Sequence, residues 1–257
     1  MQLNKLIIET RVRSAWSAID LGLAIGKLFW LRGVLLYLIV AAPVFMLTRF
    51  VSDVNSLLPY FILWWCKPVF ERPILFFLSR ELFNEPMSLV STLKQVKSWL
   101  LPGLGWILSI RRLSLVRSMN APITLLERPN NAQYRQRASV LGNKSSSQAA
   151  WLNIVLFHLE SFLSIALLVL LAIFFPKYLT LSFDWINKLE DISLLVDLAS
   201  ITIVAVIAPF YTAAGFMLYI SRRVELEGWD IEICFRDWMA KEHGTNTQEL
   251  ASEADNA

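Results

Sequence analysis

The chain has 257 residues, 56% of them hydrophobic and 18% charged, with a mean hydropathy of +0.51 and a net charge of +3. That balance excludes an ordinary soluble domain and leaves room for a handful of membrane spans joined by short loops. Only two cysteines and two histidines occur, so no thiolate cluster is available for a metal, and Cys66 and Cys234 lie too far apart in the expected topology for a disulfide.

The first strongly apolar run begins only near Phe29, so no cleavable signal peptide is expected. Ser14 can cap a helix that starts at Ala15. Trp16, Ile19, Leu23 and Trp30 then recur at helical spacing, with Asp20 and Lys27 as the main charges. This pattern predicts an amphipathic helix in the membrane interface. Gly22 and Gly26 make a G-x-x-x-G that carries little weight as a packing signal outside an uninterrupted span.

Residues 33–49 form the first expected crossing, with Pro43 placed to kink it. A polar turn at 52–56 leads to a second, over 57–82, which makes the first two spans antiparallel neighbours. This stretch carries Lys67, Glu71 and Arg72 near its middle, bracketed by Pro68 and Pro73. Charge at that depth is costly and needs a protein, water or headgroup neighbour. On a regular helix Lys67 and Glu71 are i, i+4 neighbours able to pair, while Arg72 points elsewhere. The prolines also free backbone carbonyls upstream of them that need other donors. Either a broken helix turns its charged elbow into the bundle, or the segment is already emerging at headgroup level.

Leu89, Leu93, Val96 and Leu100 share a helical face opposite Lys94 and Lys97, a second interfacial helix. The apolar stretch 100–110 is too short to cross and is interrupted by Pro102, Gly103 and Gly105, so a surface or re-entrant hairpin is expected. Residues 111–148 hold Arg111, Arg112, Arg117, Arg128, Arg135, Arg137 and Lys144 against the single acid Glu127. They read as a basic cytoplasmic loop, or as a contact for anionic lipid headgroups or an acidic partner.

Residues 149–176 are the cleanest span, anchored by Trp151 and carrying His158 and Glu160 in its first half. Two residues apart, those side chains point to different helix faces, so polar packing contacts are expected rather than a zinc site. A mixed outer loop, 177–198, leads to the last span, 199–220, where Ala213, Ala214 and Gly215 suit close helix contact and Arg222 and Arg223 stop the helix. An amphipathic tail helix is predicted over 230–241, capped by Asp230, with Ile231, Cys234, Phe235 and Trp238 on its apolar face. Residues 245–257 are polar and acidic and read as disordered.

The expected fold is therefore an all-α integral membrane protein. A single helical domain, 1–244, holds about four transmembrane helices plus interfacial amphipathic helices. An even number of crossings puts the three basic clusters, and both termini, on the cytoplasmic side. No phosphate-binding, dinucleotide-binding, zinc-protease or nucleophile-elbow motif occurs, so no enzyme, metal or cofactor is expected. Nucleic acid is not an expected partner.

Three blocks carry a family likeness: RSAWSAIDLGLAIGKLFW, WWCKPVFERPILFFLSRELF and PFYTAAGFMLYISRRVELEGWDIEICFR. Together they resemble a group of proteobacterial inner-membrane proteins with K-P-x-x-x-R-x-P and R-R-x-x-L-E-x-W-D-I-E patterns. Ile220-Ser221 stands where that group usually has Leu-Asn. The resemblance implies a setting near MoxR-type AAA ATPase systems and no particular activity. It singles out Lys67, Pro68, Arg72, Pro73, Ser79, Arg222, Arg223, Trp229, Asp230 and Glu232. The leading expectation is a non-enzymatic membrane component of a larger assembly, with Arg111, Arg112, Arg117, Arg222, Arg223, Trp229, Asp230 and Trp238 as lipid or partner contacts. The alternative is a small transporter or lipid-handling protein whose path passes the intramembrane cluster Lys67, Glu71, Arg72, His158 and Glu160.

Overall fold

Ser14 begins the ordered helices as its spacing predicts: it is extended, and its hydroxyl accepts from the Ser17 amide at 3.2 Å, capping α1 (Ala15–Leu28). This computed structural model describes residues 12–52, 57–174 and 193–228. The expected tail helix, the acidic tail and most of the outer loop lie outside them, and with them Trp229, Asp230, Glu232 and Trp238.

The described residues are helical. After α1 come α2 (Trp30–Val51), α3 (Leu58–Phe70), α4 (Arg72–Leu82), α5 (Leu89–Lys94), α6 (Val96–Leu100), α7 (Leu104–Leu108) and a 3-10 turn (Ile110–Leu113). Then follow α8 (Arg117–Pro122), a π turn (Ile123–Glu127), α9 (Asn131–Gly142), α10 (Ser146–Phe174) and α11 (Ser193–Glu227). Three segments are long and apolar enough to cross a membrane: Trp30–Val51, Ser146–Leu171 and Val196–Glu227. Pro43 sits within an unbroken α2.

The bundle is organised around α11. Its apolar positions are buried almost all round, and small residues let neighbours approach its backbone. A Cβ built on Gly22 would lie 2.4 Å from the Ala214 Cα, and one on Gly26 would lie 3.1 Å from the Phe210 Cα. The G-x-x-x-G of α1 is thus a packing stripe after all. Ser221 donates to the Arg13 carbonyl and the Trp30 indole to the Val206 carbonyl, so α1 runs antiparallel along the second half of α11. The small residues expected on α11 do make close contact, since a Cβ on Gly215 would also collide with Ser118 of α8 at 2.5 Å. α11 continues to Glu227, so Arg222 and Arg223 lie inside the helix rather than ending it. Both are held there by acids within the next turn, Glu225 and Glu227.

Two further segments depart from the simplest reading of their sequence. Residues 57–82 are not one continuous helix but two, which meet at Glu71 as in the broken-helix alternative, because Pro73 opens α4 and cannot donate into the turn before it. With 13 residues, α3 is about 20 Å long, short of the roughly 30 Å hydrocarbon layer. The basic segment 111–148 is likewise no open loop. Apolar side chains inside it, Met119, Ile123, Leu125 and Leu141, are buried in the core, which folds the segment onto the bundle as helical turns. α5 and α6 form the expected helix over 89–100, broken at Gln95, with Thr92 and Trp99 as its buried residues.

Candidate polar site inside the helical bundle

The break between α3 and α4 places its charges in the interior, where each meets a partner from far along the chain. Lys67 is 7% exposed and pairs with Glu160 of α10. Glu71, also 7% exposed, faces Arg117 of α8 at 3.5 Å. The i, i+4 pair between Lys67 and Glu71 does not form, since each side chain has a counter-ion on another helix. These two cross-links join α3 to α10 and α8, with α11 supplying Tyr211 between them. Arg117 donates to the Tyr211 hydroxyl at 2.8 Å, and Lys67 lies 6.0 Å above the same ring.

Arg112 completes the group. Pro68 leaves the Trp64 carbonyl, four residues earlier, without a helical donor, and the Arg112 guanidinium donates to it and to the Trp65 carbonyl at 3.0 Å. The same guanidinium lies 4.3 Å over the Trp64 ring. Burial pushes Arg112 down to about 10, with the Arg117 charge adding to the effect, so it stays protonated at neutral pH. The freed carbonyl was readable from the proline alone. Its donor was not, because the donor lies 48 residues downstream.

Arg72 takes no part in the ion pairs. At 2% exposed it donates to the carbonyls of Trp99, Leu100 and Pro102, the C-terminal end of α6, while its Nε has no partner. A guanidinium at a helix C-terminus satisfies carbonyls that lack intrahelical donors. His158 is exposed, and its Nδ1 lies 2.8 Å from the Ile154 carbonyl of its own helix. Of the five side chains grouped from sequence, Lys67 pairs with Glu160 and Glu71 meets Arg117, while Arg72 lines a cavity with Glu71 and His158 lines one with Lys67 and Glu160. Among the described residues no three His, Cys, Asp or Glu side chains gather to hold a metal ion.

The arginines expected at a lipid or partner surface are mostly drawn inward. Arg112 and Arg117 belong to the interior group. Arg222 is 5% exposed and donates to the Leu141 carbonyl at 3.2 Å, while Arg223 binds Glu227 and Tyr219. Arg111 lines an open cleft, stacked 3.4 Å from the Tyr134 ring centre.

Two cavities flank the ionic group. One of about 270 Å³ touches Glu71, Arg72 and Arg111, and the other, about 220 Å³, touches Lys67, Arg112 and Glu160. Ser114, Arg117 and Tyr211 line both and form their common wall. Lys67, Arg112 and Arg117 outnumber Glu71 and Glu160, so the wall carries a cationic surplus. At the far end of α11 a second, smaller cluster forms: Arg49 pairs with Asp197 at 2.9 Å and the Tyr60 hydroxyl donates to the same carboxylate. Sequence reading did not single out these three residues. A lone acid near the start of an apolar helix was the available signal.

No family model matches this chain, and neither a curated protein nor a solved structure matches it.

Proposed function

We propose that this chain is a multi-pass bacterial inner-membrane protein that handles an anionic solute or the anionic head of a lipid through its polar interior. One observation carries the reading: two cavities share a wall built from buried, cross-linked ions with a surplus of cations. Buried ion pairs alone are weak evidence for stability, because desolvation offsets their attraction. Cavities on both sides of such a wall give the charges something to act on. The ligand meets Lys67 and Arg112 on one side and Arg111 and Arg72 on the other. Movement of Arg117 and Tyr211 is the step that connects the two spaces.

Ser114 tests this, because it lines both cavities without belonging to an ion pair. A Ser114→Cys variant, with Cys66 and Cys234 replaced, should react with a membrane-impermeant thiol reagent in membrane vesicles. Complete protection in right-side-out and inverted vesicles alike removes the hydrated path.

A second reading, a non-enzymatic component of a membrane assembly in the setting of MoxR-type ATPases, is favoured by α10. That helix packs inward along Ala149, Leu152 and Leu156 and leaves Trp151, Phe157, Phe162 and Ile165 facing out. Affinity purification with and without residues 228–257 tests whether the tail recruits partners. An unchanged partner list removes the tail from this reading.

A further inference from the structure

Beside the interior group, and sharing only Arg111, Thr124 and Tyr134 with the 270 Å³ cavity, lies an open cleft of about 580 Å³. Its size falls in the range of about 300–1,000 Å³ usual for ligand sites. Lys97, Arg111 and Arg128 all line it, and no acidic residue does. Among the described residues no carboxylate reaches any of the three. Arg128 donates only to carbonyls, those of Ser98 at 3.0 Å and Leu125 at 3.4 Å. Arg111 is held by rings alone, Tyr134 at 3.4 Å and Trp106 at 5.5 Å. Three cations concentrated in one concavity without a counter-ion repel one another and attract an anion.

Two further features specify the anion. Asn130, the N-cap of the 12-residue α9, and Asn131, its first residue, open into the same cleft and bring the positive end of that helix. The rim is apolar: Leu101 is 61% exposed and Trp106 is 43% exposed, and both line the cleft. An exposed leucine and tryptophan beside a cationic floor match the bilayer interface, where indole rings settle at headgroup level. A soluble anion has no use for the apolar rim.

We infer that this cleft is a binding site for the phosphate of an anionic phospholipid headgroup, with the acyl chains leaving across Leu101 and Trp106. Lys97, Arg111 and Arg128 contact the phosphate oxygens, and Tyr134 fixes Arg111 by stacking. The site holds whether or not the interior forms a path, because Lys97 and Arg128 take no part in the ion-pair network. Thr124 and Tyr134 line this cleft and the 270 Å³ cavity alike, so a lipid bound here lies next to the interior space.

The experiment uses the full chain in a nonionic detergent, titrated with phosphatidylglycerol or phosphatidylcholine and followed by thermal unfolding and native mass spectrometry. Phosphatidylglycerol should raise the unfolding midpoint and remain bound, and phosphatidylcholine should not. Each charge removed, in Lys97→Gln and in Arg111→Gln/Arg128→Gln, should weaken phosphatidylglycerol about fivefold. Lys97→Gln is the safeguard for folding, since that side chain is exposed. Lys94→Gln, at an exposed lysine outside the cleft, should leave the lipid affinity unchanged, which separates this site from general surface charge. Equal binding of the two lipids, or undiminished affinity in both cleft variants, overturns the site. Displacement of the lipid by millimolar glycerol phosphate assigns the cleft to a free phosphate instead and overturns the lipid.

Discussion

Lys67 and Glu160 show how the interior charges set the behaviour of single residues. Each is largely sequestered, with side-chain exposures of 8% and 12%, and each would be left as an uncompensated ion by loss of the other. Breaking one side of such a pair costs about 3–5 kcal/mol, whereas replacing both partners by apolar groups of similar size is often neutral. Lys67→Met is therefore expected to lower the unfolding midpoint in detergent sharply, and Lys67→Met/Glu160→Leu to recover most of the loss. A double variant no more stable than the single one shows that Lys67 owes its stability to Tyr211 and its surroundings rather than to Glu160. The recovered double variant also separates structure from function. If the ionic wall handles a ligand, the variant folds but no longer binds it.

At the scale of elements, the bundle depends on where backbones touch. The α1–α11 contact is closest at Gly22, where a methyl group would press on the backbone of Ala213 and Ala214 rather than on a side chain that can turn aside. Gly22→Ala is expected to cost about 1–3 kcal/mol by forcing the helices apart. Gly105, in α7, offers the contrast, because a Cβ there meets nothing within 4 Å. Gly105→Ala should stabilise by about 0.5–1 kcal/mol through helix propensity alone. Chemical unfolding of both variants checks the pair, and a Gly22→Ala variant as stable as the parent removes the stripe as a packing device. The glycine spacing was visible in the sequence, but α1 looked too polar to be a span, and its partner helix lies almost 190 residues away. The apolar runs of α2, α10 and α11 were readable because membrane spans announce themselves by local composition. The break at Glu71 was announced by two prolines. What could not be read was pairing: nothing local distinguishes Glu71 from Glu160 as the partner of Lys67, or marks Arg112 as the donor for Trp64. The basic segment misled for a related reason. Its arginines gave it a loop's composition, while Met119, Ile123, Leu125 and Leu141 between them were enough to bury it.

At the scale of the whole molecule, the long-range contacts settle which helix ends lie together. Arg13 meets Ser221 and Lys144 meets Glu225, so the start of α1, the start of α10 and the end of α11 share one end of the bundle. Arg49, Tyr60 and Asp197 meet at the other, which brings together the end of α2, the start of α3 and the start of α11. The chain must therefore return between α2 and α10, and we predict that α3 with α4 carries it across the membrane, despite the short length of α3 alone. α11, 35 residues and about 52 Å long, exceeds a hydrocarbon layer of about 30 Å, and we predict that its arginine-bearing end is the one that projects. Lys144, Arg222 and Arg223 gather at that end. Arg49 at the opposite end is neutralised by Asp197 and so weighs less in orientation. The expected arrangement has four crossings, with the basic end in the cytoplasm. Leu57, 78% exposed, and Ser147, also exposed, report on the two ends. In a background lacking Cys66 and Cys234, Leu57→Cys in intact spheroplasts should react with an impermeant maleimide, and Ser147→Cys only after lysis. Labelling of both from the same side shows that the segment at 57–82 does not cross, and labelling in the reverse order inverts the orientation.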